Sequence, residues 1–494
     1  MDRNRAVVAA LCFRLVAFPA WAQTSPVLVP AEAALAASGQ RAAVVGPATT
    51  SPAECVPCIR SNLEYLAGPE LHGRGSETAD EYRAAEFIAA RLRSYGLAPA
   101  AENDHYIQTA TIQSRTVTAP PVLSFEVGQG NPSGLIAWTH GKEIVVQALS
   151  QPDISGPLKK LNAGDPGVTA AQVVQGTVVL LKLKSGLEWN AAQAAITGFS
   201  GSKAAMLIVS QSVVSTGHLS QAPKLPRLPL QFGNDRPQWK PTIVVAGSSA
   251  FAQLWALPDD TTIKLQAETS RWKVRHTWNV LAKLEGTREK DQVILLSAHL
   301  DHLGIRRGET YYGADDDASG TAAVMELARA MAREPTPART VVFALWGSEE
   351  LGKLGARYFL QYPSFDLNSI VANLEFEMIA RPDPKLKADQ VWLTGWDRTN
   401  LGEELVAHGA DLVGDPHPEE EFFQRSDNYA LAQQGIIAQT ISSYGLHKDY
   451  HRPTDTLDKV DWKHLDQAIG SMIGPVTWLA NSDFTPEWNS GQRP

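Results

Sequence analysis

The sequence predicts an α/β fold: a mostly parallel central sheet with helices on both faces, and a β-rich module inserted into it. Three observations lead there. From Val280 onward, apolar runs of strand length alternate with segments of helical period. The apolar runs are nearly continuous rather than alternating, the pattern of strands buried on both faces. Between residues 120 and 267 this rhythm gives way to short β-rich runs broken by Pro223, Pro226, Pro229, Pro237 and Pro241.

The elements follow in chain order. Residues 1–22 have the form of a signal peptide. Arg3 and Arg5 open it, an apolar stretch interrupted by Arg14 follows, and Ala20-Trp21-Ala22 fits a small-x-small cleavage site. This predicts a secreted or periplasmic protein. Residues 23–52 are rich in Ala, Pro, Ser and Thr without a period and read as a flexible leader. Cys55 and Cys58 form a CxxC with no second pair for a structural zinc, so an exported chain would close them as a local disulfide. Residues 79–95 carry a helical stripe, with Gly96 placed to end it. Inside the β-rich stretch, residues 177–181 and 204–209 read as strands and 188–197 as a helix. Beyond it, strands are predicted at 292–298, 340–346 and 370–379. Helices are predicted at 320–333, 351–362 and 461–481.

Composition narrows the function classes. The chain has 494 residues, 44% hydrophobic and 20% charged, enough apolar material for a large core. A net charge of −9 argues against a nucleic-acid partner. No apolar run reaches the length of a membrane span. Oligomeric state is not legible.

The ends of the predicted strands are strongly polar, and in such sheets ligands bind at the carboxyl ends of strands. The first strand runs into His299-Leu300-Asp301-His302. The next loop holds Asp315-Asp316-Asp317. The second strand ends in Glu349-Glu350, the third contains Glu375 and Glu377, and His447 and His451 come far downstream. Alone, each has an ordinary explanation: a helix-opening acid pair, a turn, a surface histidine. Together they would repel, because clustered carboxylates raise one another's pKa. A divalent cation resolves that. Imidazole and carboxylate without thiolate suits zinc, and also manganese or cobalt.

These residues lie in stretches that resemble the M28 family of metallopeptidases, mostly aminopeptidases. The stretches are SAHLDHLG (297–304), YYGADDDASGTAAVMELARAMA (311–332), RTVVFALWGSEELGKLGARYF (339–359), IVANLEFEMIA (370–380), SDNYALAQQGI (426–436) and GLHKDYHRPTDTLD (445–458). LEYLAGPELHGRGSETADEY (63–82) resembles the opening of many members, and the inserted module resembles a protease-associated domain. The resemblance implies two zinc ions per chain and a peptide substrate. It implies His299 and Glu377 on one ion, Glu350 and His451 on the other, and Asp316 bridging. Glu349 would be the general base, and Asp301 would orient the His299 imidazole. The family usually has aspartate where Glu377 stands, and Glu375 competes for the role. Tyr444 and His447 are candidates for binding substrate or the oxyanion. The implied organisation is the N-terminal part of the peptidase domain at 53–119, the insert at 120–267, the catalytic domain at 268–485 and a tail at 486–494. Other activities on the same scaffold are a carboxypeptidase or a glutaminyl cyclase. A catalytically dead, receptor-like binding protein is the alternative outside enzymes, and it would be expected to lack ligands that are present here.

Overall fold

In the computed structural model of the chain, the described residues are 55–127, 134–163, 165, 167–183, 189–210, 224–233 and 240–494. The signal peptide and leader expected at 1–22 and 23–52 lie outside them. Among the described residues, no helix is long and apolar enough to cross a membrane.

A ten-stranded sheet organises the chain from Cys55 on. Its main strands are β1 (Ile107–Ser114), β2 (Lys273–Leu284), β3 (Glu289–His299), β4 (Arg339–Trp346), β5 (Ile370–Phe376), β6 (Val391–Leu393), β7 (Leu412–Gly414) and β8 (Ala438–Ser442). They lie in the order β7-β6-β8-β5-β3-β4-β2-β1, with Gln231–Phe232 beyond β1 and Ala98–Pro99 also paired to β2. The centre is parallel, as expected: β3 pairs in parallel with β4 and β5, and β5 with β8. On either side of it the pairing turns antiparallel, at β4/β2, β2/β1 and β8/β6.

Alternation along β3 shows why its run reads as uniformly apolar. Ile294, Leu296 and Ala298 join the core beneath the helices α1 (Val56–Leu66), α2 (Ala79–Ser94), α3 (Ala318–Met331) and α5 (Trp462–Asn481). Val293 and Leu295 join the opposite core with Trp346 and with Phe359 of α4 (Leu354–Gln361). Both faces are therefore covered, and α3 is buried along its whole length. Thr78 caps α2 by accepting from the Asp80 N–H. The helix ends at Gly96, whose φ of +91° lets the Leu97 N–H turn back to the Leu92 carbonyl.

Two of the boundaries that differ from expectation bear on the site. The helix predicted from 351 begins at Leu354, because Ser348, Gly352 and Lys353 adopt left-handed backbone and confine Glu349–Leu351 to one separate 3-10 turn. The strand predicted to 379 stops at Phe376, and Met378 has φ +52°. Both differences lift acidic residues out of regular structure at the sheet's end.

Residues 122–266 contribute a second, eight-stranded sheet with apolar cores on its two faces, one around Phe125, Trp138 and Leu265, the other around Leu181, Phe199 and Leu207. It joins the first sheet through β1 and β2, which pair from Ile107↔Val280 to Ser114↔Lys273. Cys55 and Cys58 are disulfide-bonded at the start of α1.

Candidate metal centre

The three consecutive aspartates divide their work. Asp317 caps α3 by accepting from the Gly320 N–H (3.0 Å), and also accepts from the main-chain N–H groups of Met378 (3.1 Å) and His299 (3.2 Å). It thus ties together the ends of β3 and β5. Asp315 accepts from the Ala380 N–H at 2.8 Å and faces His447 Nε2 at 2.9 Å. Asp316 alone points its carboxylate into the space between, and the peptide bond joining it to Asp317 is cis. Asp455 grips this loop from below by accepting from the Asp315 and Asp316 N–H groups.

Arg74 holds the other side. Its buried guanidinium donates to four main-chain oxygens: Leu66 (2.6 Å), Tyr312 (2.8 Å), Leu300 (2.9 Å) and Gly313 (3.0 Å). The segment 63–82 is therefore structural support for the site. The sequence carried a signal in its GRGS run, but not the reason for it.

Around Asp316 the expected residues converge. Its Oδ1 lies 3.3 Å from His299 Nε2, which is 3.9 Å from Glu377 Oε1. Its Oδ2 lies 3.2 Å from His451 Nε2, which is 3.3 Å from Glu350 Oε2. One carboxylate thus faces two separate imidazole–carboxylate sets. Glu375 sits one step behind Glu377 and is engaged by Ser426 Oγ (3.1 Å) and the Asn428 N–H (2.5 Å), so Glu377 is the acid presented to the site. His447 turns away to Asp315 and Arg381, leaving Tyr444 as the member of that expected pair that lines the cavity.

Asp301 has partners beyond the expected imidazole. Its carboxylate accepts from the Glu349 N–H (2.9 Å) and from Ser76 Oγ (2.6 Å), and lies 3.8 Å from His299 Nδ1. The closer partner of that nitrogen is the Asp301 carbonyl, at 3.3 Å. The side chain therefore fixes the Glu349 turn while staying beside the imidazole, whose Nδ1 the Asp301 main chain also contacts. His302, three residues after His299, stood in the strand-end cluster read from sequence but was given no role there: its Nδ1 approaches Glu350 Oε1 to 2.8 Å.

The donor set fits metal ions. His299 Nε2, Asp316 Oδ2, Glu350 Oε1 and both His302 nitrogens are buried without a hydrogen-bond partner. Donors about 2.0–2.1 Å from a tetrahedral zinc lie about 3.3–3.4 Å apart, which is the spacing seen between the imidazoles of His299 and His451 and the Asp316 oxygens. Among the described residues, two donor groups have the required closeness: His299, Asp316 and Glu377, and His302, Asp316 and Glu350.

Electrostatics agree. Burial would lower His451, yet Asp316 and Glu350 hold it up at about 10. Burial would raise Glu350, yet His302 and His451 hold it down at about 2. The pocket demands positive charge beside these carboxylates, and protons supply it when no cation does. Burial, reinforced by Glu377 and Glu350, pushes Glu349 well above the ordinary carboxylate range. The cavity above these groups is walled by Met378, Trp392, Phe422, Tyr444 and Tyr450, with Arg425 at its edge over the Phe422 ring (4.8 Å).

Residues 279–474 match the sequence profile described as peptidase family M28. This part of the chain is an M28 peptidase domain. The M28 domain region is similar to a probable lipoprotein aminopeptidase, LpqL, of Mycobacterium tuberculosis, 30% identical over 45% of this chain and 48% of that protein. It is also similar to leupeptin-inactivating enzyme 1 of Streptomyces exfoliatus, 34% identical over 43% of this chain and 51% of that one. The chain thus spans about half the length of these curated relatives. Among solved structures, a zinc aminopeptidase from Bacillus subtilis aligns over 87% of this chain and 97% of its own, at 16% identity and a TM-score of 0.45.

Proposed function

We propose that this M28 protein is a two-zinc exopeptidase that removes residues from the N-terminus of peptides. The observation that carries it is the position of Asp316, whose two oxygens face His299 with Glu377 and His451 with Glu350. Bound zinc supplies Lewis acidity toward the scissile carbonyl and acidifies the attacking water. Glu349, held over the cavity by the Asp301 contact to its N–H, takes the water's proton and delivers it to the leaving amine. Tyr444 and Tyr450 wall the space where the substrate's terminal side chain sits. The carboxylate-rich floor suits a free α-ammonium group.

Arg425 favours a second reading. A guanidinium at the cavity edge can receive a substrate carboxylate, which would make the enzyme a carboxypeptidase. The deciding experiment uses one good peptide substrate in three forms. N-acetylation stopping cleavage, with C-terminal amidation tolerated, supports the aminopeptidase. The opposite pattern establishes the carboxypeptidase and points to Arg425. Metal analysis of zinc-replete protein should give two ions per chain, and one or none refutes the two-zinc reading.

We further infer that residues 120–267 form a non-catalytic, protease-associated-like module that limits access to short peptides. The bonded Cys55–Cys58 pair supports an exported location, where such bonds persist.

A further inference from the structure

Two imidazoles face Glu350, one more than the family resemblance provides. His451 is partly exposed, whereas His302 is fully buried. The main chain sets the His302 ring. Residue 302 forms a parallel bridge with Gly75, its N–H donating to the Arg74 carbonyl (3.1 Å) and its carbonyl accepting from the Ser76 N–H (3.2 Å). Gly313 closes against the ring, where a Cβ would come within 2.6 Å of its carbons.

So placed, His302 Nδ1 lies 2.8 Å from Glu350 Oε1 and 3.8 Å from Asp316 Oδ2. Neither ring nitrogen nor Glu350 Oε1 makes a hydrogen bond. A ring that merely steadied Glu350 would aim an N–H along the line to the oxygen. A short approach without that alignment is the arrangement of two donors directed at a third point. His451 completes the surround from the opposite flank, its ring 5.8 Å from that of His302 and inclined by 66°.

We infer that His302 is itself a metal ligand, through Nδ1, at the position shared by Glu350, Asp316 and His451. This rests on the two-ion reading above. It makes the two positions unequal. The Glu350 position has four protein donors, two of them imidazoles. The Glu377 position has three donors, His299, Asp316 and Glu377, and keeps a place open, the arrangement that catalytic zinc sites retain for water or substrate.

The test uses the wild-type full chain, labelled with nitrogen-15 at histidine and loaded with cadmium-113. Two bound cadmium resonances are expected, one coupled to a single imidazole nitrogen and one to two. Two resonances each coupled to a single nitrogen overturn the inference and leave the two-ion reading intact. Fewer than two bound resonances overturn both. His302→Phe keeps a ring in place and removes the donor. After dialysis against a chelating buffer it should retain one ion, with the affinity of the other lowered by at least the 10–100-fold typical of losing a mere supporting partner. Retention of both ions at wild-type affinity, with unchanged circular dichroism, refutes the ligand role.

Discussion

Replacing Arg74 with methionine should destabilise the metal-free protein by about 3–5 kcal/mol. The figure follows from what the guanidinium does. It is fully buried and donates to the carbonyls of Leu66, Leu300, Tyr312 and Gly313. Charge-assisted bonds of this kind contribute about 1.5 kcal/mol or more each, so four lost together amount to at least about 6 kcal/mol. Part of that is offset because the cationic head no longer has to be desolvated, a cost large enough to lower the Arg74 pKa. Methionine fills much of the volume but leaves four buried carbonyls unpaired. A second effect adds to the first: the cation balances Asp301, Asp317, Asp316 and Asp455, so its loss should hurt less when bound metal supplies positive charge. Calorimetric melting of both forms tests this. A drop of roughly 3–8 °C is expected without metal for a chain of this size, with a smaller one after zinc loading. Arg74→Lys should recover no more than half, since an ammonium cannot span four acceptors as the planar fork does. A lysine variant as stable as wild type would show that charge alone matters and that the fork contributes nothing.

Other outcomes follow from the same geometry. Glu349→Gln should lower kcat by about 10²–10⁴-fold with both ions retained, whereas Glu350→Gln should release one ion; metal analysis beside steady-state kinetics separates them, and the reverse pattern would exchange the two roles. Because His451 is held up at about 10, its imidazole carries a proton at neutral pH in the metal-free protein, and binding a cation must expel it. Metal affinity should therefore rise about tenfold per pH unit for each proton displaced, until the pH passes about 10. Calorimetry in buffers of different ionisation heat checks this, and zero proton release would contradict it. Asp301→Asn leaves too few acceptors for both Ser76 Oγ and the Glu349 N–H, so kcat should fall about 10–100-fold with KM little changed; an unaltered kcat would remove Asp301 from the positioning of the base.

Much of the centre was legible because strand ends betray themselves. A run such as Val293–Leu296 is apolar on both faces, so an imidazole soon after it marks where the sheet opens onto the site. The separation of Glu377 from Glu375 was less legible. It depends on Ser426 and Asn428, some fifty residues onward, occupying one of the two acids. Arg74 and His302 were given no role from sequence for a related reason. Their roles come from a bridge between residues 75 and 302 and from carbonyls scattered between Leu66 and Gly313, partnerships no periodicity encodes. The late start of α4 has a local cause, Lys353 adopting a conformation usually left to glycine. The last two strands at one end of the sheet, Val391–Leu393 and Leu412–Gly414, span three residues each, too short to show a pattern.

The pairing of β1 with β2 has an engineering consequence. The ladder continues outward past Ser114 and Lys273 through Thr116 with Ser270 and Thr118 with Glu268, so a two-strand ribbon links the two sheets, while Gln231–Phe232 makes a further attachment by pairing with β1 at Ile112 and Gln113. Partners in such a ribbon are separated by only about 5 Å. Ser114 can therefore be joined to Lys273 by an Asn-Gly turn without stretching the chain, but excising residues 115–272 also removes Gln231–Phe232 and uncovers its apolar cluster with Ile112 and Leu354. The shortened protein would close as a hairpin with β1 as a newly exposed edge strand. Conversely, the same hairpin tip is a socket, able to accept an unrelated domain whose ends lie side by side.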